Sequence, residues 1–158
     1  MDLIQVNGFK VEVITYGMES NQKGKPVIVF ENGRGTDFEY WLPIIKDVSK
    51  ENVVFAYNRP RIGSSEDDNQ LPTIDHITDL LRQTLLSKGL NPPYILVGHS
   101  WGAAYIRTFA SFYPEEIAGL IFVDPHDFVK TGAGRRSPYR EIGLTKLQID
   151  SIFAEYDK

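Results

Sequence analysis

Hydrophobic residues in this 158-residue chain gather into short runs separated by polar, glycine-containing loops. The first two runs, Leu3-Ile4-Gln5-Val6 and Phe9-Lys10-Val11-Glu12-Val13-Ile14, flank Asn7-Gly8. An Asn-Gly pair readily supplies the two positive φ values of a type I′ turn, so these runs predict an N-terminal β-hairpin. The runs Val27 to Phe30, Val53 to Tyr57, Tyr94 to Val97 and Gly119 to Val123 show no polar alternation. Strands of that kind are covered on both faces, the habit of parallel sheets.

Between them the apolar spacing turns helical. Tyr40 to Val48 suits a short helix in which Pro43 fits only the first turn. Thr73 can cap a second helix, with Ile74, Ile77, Leu80, Leu81 and Leu85 as its apolar stripe. Asp75, His76, Asp79, Arg82 and Gln83 face largely outward there, and Gly89 closes the helix. A third carries Ala104, Ile106, Phe109 and Ala110 until Pro114 forbids continuation. Strand and helix in alternation predict an α/β fold whose sheet is parallel from Val27 onward, with functional loops at the carboxyl ends of strands. The polar, acidic stretch that runs to Pro72 reads as a mobile loop.

Composition narrows the chemistry. A formal charge of -4 and no clustered basic face argue against nucleic acid or an anionic membrane as partner. Without cysteine there is no disulfide or thiol nucleophile, which fits a reducing, cytoplasmic setting. Polar Asp2, Gln5, Asn7 and Lys10 interrupt any signal-peptide pattern, and no later run reaches the roughly 20 apolar residues that span a bilayer. The three histidines are scattered, so neither a metal nor a cofactor is expected.

The chemistry concentrates in Gly98-His99-Ser100-Trp101-Gly102, set between the strand ending at Val97 and the third helix. A G-x-S-x-G pattern on a strand-turn-helix pushes the serine hydroxyl into a cleft. Residues two before and two after it approach so closely that Gly98 and Gly102 are favoured for their missing Cβ. A serine attacks only with a base to take its proton and dipoles to hold the oxyanion, and the Trp101 N–H at the helix start can donate. His99 packs beside the turn or serves as base; His76 reads as a solvated helix residue. Glu31 and Arg34 either line a pocket mouth or are solvated loop charges, while Tyr40-Trp41 reads as packing for the first helix.

Three further segments accompany the pentapeptide: Val27-Ile28-Val29-Phe30-Glu31-Asn32-Gly33-Arg34-Gly35, Ala56-Tyr57-Asn58-Arg59-Pro60-Arg61-Ile62-Gly63-Ser64-Ser65, and Leu120 to Pro125. Together they resemble the N-terminal part of the α/β-hydrolase family, across nearly all of residues 1 to 125. The resemblance implies an α/β-hydrolase-type, mostly parallel sheet with an N-terminal antiparallel hairpin, helices on both faces and the last strands lacking. It divides the chain into a partial hydrolase core, 1–125, and a linker with the helical start of a cap, 126–158, where Leu144 to Tyr156 is loosely amphipathic.

By the same match Asn32-Gly33 stands where the family often has His-Gly and belongs to the pocket, and the Arg34 N–H is the second oxyanion donor. Asn58 and Arg61 depart from the usual Asp and Gly at loop positions that are structural. The family's acid and histidine follow two further strands, whereas here His126 is the one histidine after Ser100 and lies two residues beyond Asp124. Asp124 is the candidate acid or a strand-end turn residue capping local backbone, and His126 the candidate base. The implied function is hydrolysis of a small ester, amide or similar acyl substrate without a cofactor. The alternative is a truncated or partial hydrolase acting as a binding or partner-completed module, its Leu120 to Val123 strand left as a sheet edge open to self-association.

Overall fold

Asn7 and Gly8 take φ values of 48° and 95°, the left-handed pair that the hairpin requires, and join β1 (Asp2–Val6) to β2 (Phe9–Tyr16). This is seen in a computed structural model that describes residues 1–20, 24–126 and 145. The remaining elements are β3 (Val27–Glu31), α1 (Leu42–Val48), β4 (Val54–Tyr57), α2 (Ile74–Ser87), β5 (Tyr94–His99), α3 (Gly102–Phe112) and β6 (Ile117–Val123). The six strands form one sheet in the order β1-β2-β4-β3-β5-β6. β1 and β2 pair antiparallel, as do β2 and β4, and the β4-β3-β5-β6 ladder is parallel.

The central parallel strands β3, β4 and β5 are largely apolar because both sheet faces are covered there. β6, expected from its apolar run to be covered as well, is exposed at Ile121, Phe122 and Val123 because no described strand lies beyond it. Val29, Phe55 and Leu96 point into one core with Leu81, Leu85, Ile106 and Phe109 of α2 and α3. Their neighbours Phe30, Ala56 and Val97 point the other way, against Trp41 and Ile45. The two-residue alternation of strands therefore splits an unbroken apolar run between two cores. Thr73 caps α2 by accepting the His76 N–H at 3.2 Å, and Gly89 follows the helix with φ 75°. Pro43 sits in the first turn of α1, preceded by a 3-10 turn over Phe38–Trp41. That turn buries Trp41 and leaves Tyr40 exposed, so only one of the pair packs.

The segment that follows β4 is hydrogen-bonded to β2. Ser65 Oγ donates to Asn58 O at 2.7 Å and accepts the Glu12 N–H at 2.8 Å, and the Lys10 N–H donates to Glu66. Glu12 accepts from the Ser64 N–H and from Asn58 Nδ2, both at 2.8 Å. Burial pushes the Glu12 carboxyl up, but these donors outweigh it and hold its pKa below the usual value. Asn58 is thus a buried anchor, its Oδ1 accepting the Phe38 N–H at 2.9 Å.

Among the described residues β6 is the sheet edge, and Ile121, Phe122 and Val123 on it are exposed. No helix among them is long and apolar enough to cross a membrane. The expected cap region, 126–158 with its helix from Leu144 to Tyr156, falls outside the described residues apart from His126 and Thr145.

Candidate active site

β5 ends at His99, α3 begins at Gly102, and Ser100 between them holds φ 51°. A left-handed φ at a non-glycine residue costs on the order of 1–3 kcal/mol and survives only where the surroundings fix it. Here they do so from two sides. The Ser100 N–H donates to Val123 O at 3.1 Å, and Ser100 O accepts from the N–H groups of Ala103 and His126, each at 3.1 Å. A Cβ on Gly98 would lie 2.7 Å from Gly102 O, and one on Gly102 would meet the Glu31 carbonyl and lie 2.8 Å from that of Asn32. Both glycines are therefore demanded by close backbone approach, as the pentapeptide suggested.

The loop after β3 is the third backbone segment at this point. A Cβ on Gly33 would stand 2.9 Å from His99 Nδ1 and 3.5 Å from Ser100 Cβ, so the loop abuts the serine. Asn32 was expected in the pocket; it is instead buried, donating from Nδ2 to Tyr57 O at 3.0 Å. Arg34 is exposed, its guanidinium carbon 6.0 Å from the centre of the Trp101 ring.

Neither sequence reading of Glu31 holds, since its side chain is 0% exposed. It is ion-paired with Arg59, itself 7% exposed. Arg59 also donates to Asn32 O at 2.8 Å and to Gly33 O, and its guanidinium carbon lies 5.2 Å from the Tyr105 ring centre. One cation thus neutralises the carboxylate at the end of β3 and fastens the two carbonyls that follow it. Burial drives the Glu31 carboxyl above its ordinary range against the pull of Arg59, and burial likewise raises the Tyr57 phenol. Arg59 escaped sequence reasoning, although it stands inside the Ala56 to Ser65 segment that carried the resemblance.

The histidines are placed differently from one another. His99 lies against Tyr40 and Trp41, with ring centres 6.4 and 6.3 Å away, in the packing role. His126 stacks on Trp101 at 5.2 Å. Ser100 Oγ hydrogen-bonds to neither ring. Asp124 has φ 43° and is exposed, and its carboxylate caps no described backbone group. His76, expected to be solvated, is half-buried with Nε2 2.5 Å from Asp68 Oδ2. Among the described residues no three His, Asp or Glu gather as a metal site.

A family model described as the alpha/beta hydrolase fold matches residues 26–144, more than half of the chain. The chain belongs to the α/β-hydrolase fold family. The Bacillus subtilis (strain 168) protein YqjL is 36% identical over 98 residues, 62% of this chain and 39% of YqjL. A proline iminopeptidase from Heyndrickxia coagulans is 30% identical over 124 residues, 77% of this chain and 42% of that protein. The crystal structure of an enol-lactonase from Burkholderia xenovorans LB400 shares the fold with TM-score 0.68 at 24% identity, covering 75% of this chain and 45% of that one. The chain spans less than half the length of each of these relatives.

Within this α/β-hydrolase fold two cavities take part of their lining from the residues next to Ser100 in the chain. One, of about 500 Å³, is lined by Arg34, Arg61, Ile62, Ile77, Trp101 and Tyr105 among others. The smaller, about 230 Å³, includes Gly33, Trp41 and His99. The serine's sequence neighbours open into both.

Proposed function

We propose that this chain carries the nucleophile and oxyanion hole of a serine hydrolase that cleaves an ester, amide or similar acyl substrate. Ser100 Oγ attacks the carbonyl carbon while its proton passes to a base, and the backbone N–H groups of Arg34 and Trp101 receive the oxyanion. Collapse expels the alcohol or amine with that proton, and water then releases the acyl group as the acid. The single observation that supports this best is Ser100 at φ 51° on a strand-turn-helix, with the Gly33 loop against its Cβ. His126, whose N–H bonds Ser100 O, is the proposed base, and Asp124 its proposed acid. The proline iminopeptidase, 30% identical over 124 residues, is by its name an enzyme of amide chemistry, which is compatible with this reading. A fluorophosphonate probe should label the chain and spare Ser100→Ala; equal labelling of both refutes the assignment.

The exposed apolar edge of β6 favours a second reading, a module whose turnover depends on a partner that pairs with that strand. Sedimentation of a concentration series alongside an esterase assay separates the two: turnover by the monomer rules out the second.

A further inference from the structure

The charged groups around the larger cavity are not all paired. Among the described residues its charged lining is Arg34, Arg59, Arg61 and Asp68. Arg59 is paired with Glu31, Arg61 Nε lies 2.9 Å from Asp67, and Asp68 lies against the His76 ring, which is a cation only when protonated. Arg34 alone is left, with no ion pair or hydrogen bond to any described residue and only the Trp101 ring beside its guanidinium. This cation sits where the chemistry is proposed to occur, because the Arg34 and Trp101 backbones are the two oxyanion donors. The rest of the wall is mostly apolar: Pro60, Ile62, Pro72, Ile77 and the Trp101 and Tyr105 rings. A volume of about 500 Å³ falls within the roughly 300–1,000 Å³ usual for small-molecule sites.

We propose that the cavity receives the anionic end of the substrate, an acyl compound bearing a second, ionised carboxylate, and that the Arg34 side chain is the group that recognises it. The proposal rests on the serine-hydrolase reading for the position of the reacting carbonyl. Its remaining ground is the cavity and the one arginine on its described wall that has no ion pair. A guanidinium presents a planar fork of N–H donors that matches a carboxylate, and the apolar wall lowers the dielectric in which the two meet. An acyl chain running from Ser100 past Trp101 into this space brings a distal carboxylate to Arg34.

The test is binding of glutarate, a dicarboxylate, against glutaramide, its neutral counterpart, followed through the indole N–H resonance of Trp101 in the full chain. Glutarate should move that resonance saturably and glutaramide should not. Arg34→Gln should weaken glutarate by roughly tenfold or more, with Arg34→Lys between the two because the charge stays and the fork is lost. Arg34 is exposed, so circular dichroism should find the variants folded as the parent is. Equal binding of diacid and diamide, no binding of either, or an unchanged affinity in folded Arg34→Gln overturns the proposal. Sulfate competing as well as glutarate would mean an adventitious ion only and overturns it too. Glutarate binding that survives in Ser100→Ala while the fluorophosphonate labels both proteins alike would sink the nucleophile and leave the anion site standing.

Discussion

Replacing Arg59 by Met keeps most of the side-chain volume and removes, among the described residues, the one cation that pairs with Glu31, a carboxylate with no exposed surface. Breaking a buried ion pair from one side costs about 3–5 kcal/mol, because the remaining charge is desolvated and uncompensated. Arg59→Met also strips donors from Asn32 O and Gly33 O, so the upper part of that range is expected. This is a large share of the roughly 5–15 kcal/mol that holds a domain folded.

The sign of the pH dependence separates this account from simple loss of packing. In the variant, burial is no longer opposed by Arg59, and the Glu31 pKa climbs further above its unfolded value. A carboxyl whose folded pKa is raised contributes stability that is present below its unfolded pKa and lost as pH rises towards the folded one. The deficit of Arg59→Met should therefore be smallest in acid and widen by up to about 1.4 kcal/mol per pH unit between the two pKa values. Urea titrations read by Trp41 and Trp101 fluorescence, at roughly pH 6 and roughly pH 8, measure it. Adding Glu31→Gln to Arg59→Met should recover much of the loss and flatten the pH dependence. A deficit that is the same at both pH values, or a double variant no better than the single, would refute the reasoning.

Gly102→Ala sets a methyl against the carbonyls of Glu31 and Asn32 and should cost about 1–3 kcal/mol, with probe labelling of Ser100 slowed beyond what thermal stability explains. An unchanged melting temperature would count against the close approach. Glu12 titrates in the opposite sense to Glu31, because its depressed pKa contributes stability above the ordinary carboxylate range that is lost as pH falls through the folded value. Glu12→Gln should then be destabilised by about 1 kcal/mol near neutrality and converge with the parent in acid, as followed by urea midpoints; a constant gap would show that the carboxylate charge is irrelevant.

Where a feature depended on local rules, the sequence carried it. Asn7-Gly8 specified its turn through two φ values, and Gly98 and Gly102 announced the tight elbow through missing Cβ atoms. Thr73, Pro43 and Gly89 fixed helix ends for equally local reasons. What stayed hidden depended on strand neighbours. Glu31 and Arg59 stand 28 residues apart and meet only because β3 and β4 run parallel side by side, a registry that hydrophobic periodicity does not encode. A charged residue ending an apolar strand therefore read as a loop charge. His76 was misjudged similarly, its partner Asp68 lying in a polar loop with no pattern of its own. Of the candidate site, the serine, its glycines and the abutting loop were legible, whereas the cation that braces that loop was not.

That brace explains how the strained turn persists. Ser100 is bonded on one side to β6, through Val123 O, and Gly102 rests on the Glu31 and Asn32 carbonyls at the end of β3. Arg59 in turn holds the Asn32 and Gly33 carbonyls. A left-handed serine is tolerated when leaving that conformation would break contacts worth more than the strain, and here the Ser100 backbone bonds to Val123, Ala103 and His126, with close packing on the β3 carbonyls, oppose about 1–3 kcal/mol. The two supports are unequal. The β3 side is buried and tied by a charged side chain, while the β6 side hangs on the strand at the edge of the described sheet. Local opening starts where backbone hydrogen bonds are least covered, so the Ser100 backbone is held most weakly through Val123. A partner covering the outer edge of β6 would therefore also stiffen Ser100, which ties the exposed apolar residues there to the chemistry proposed one strand away.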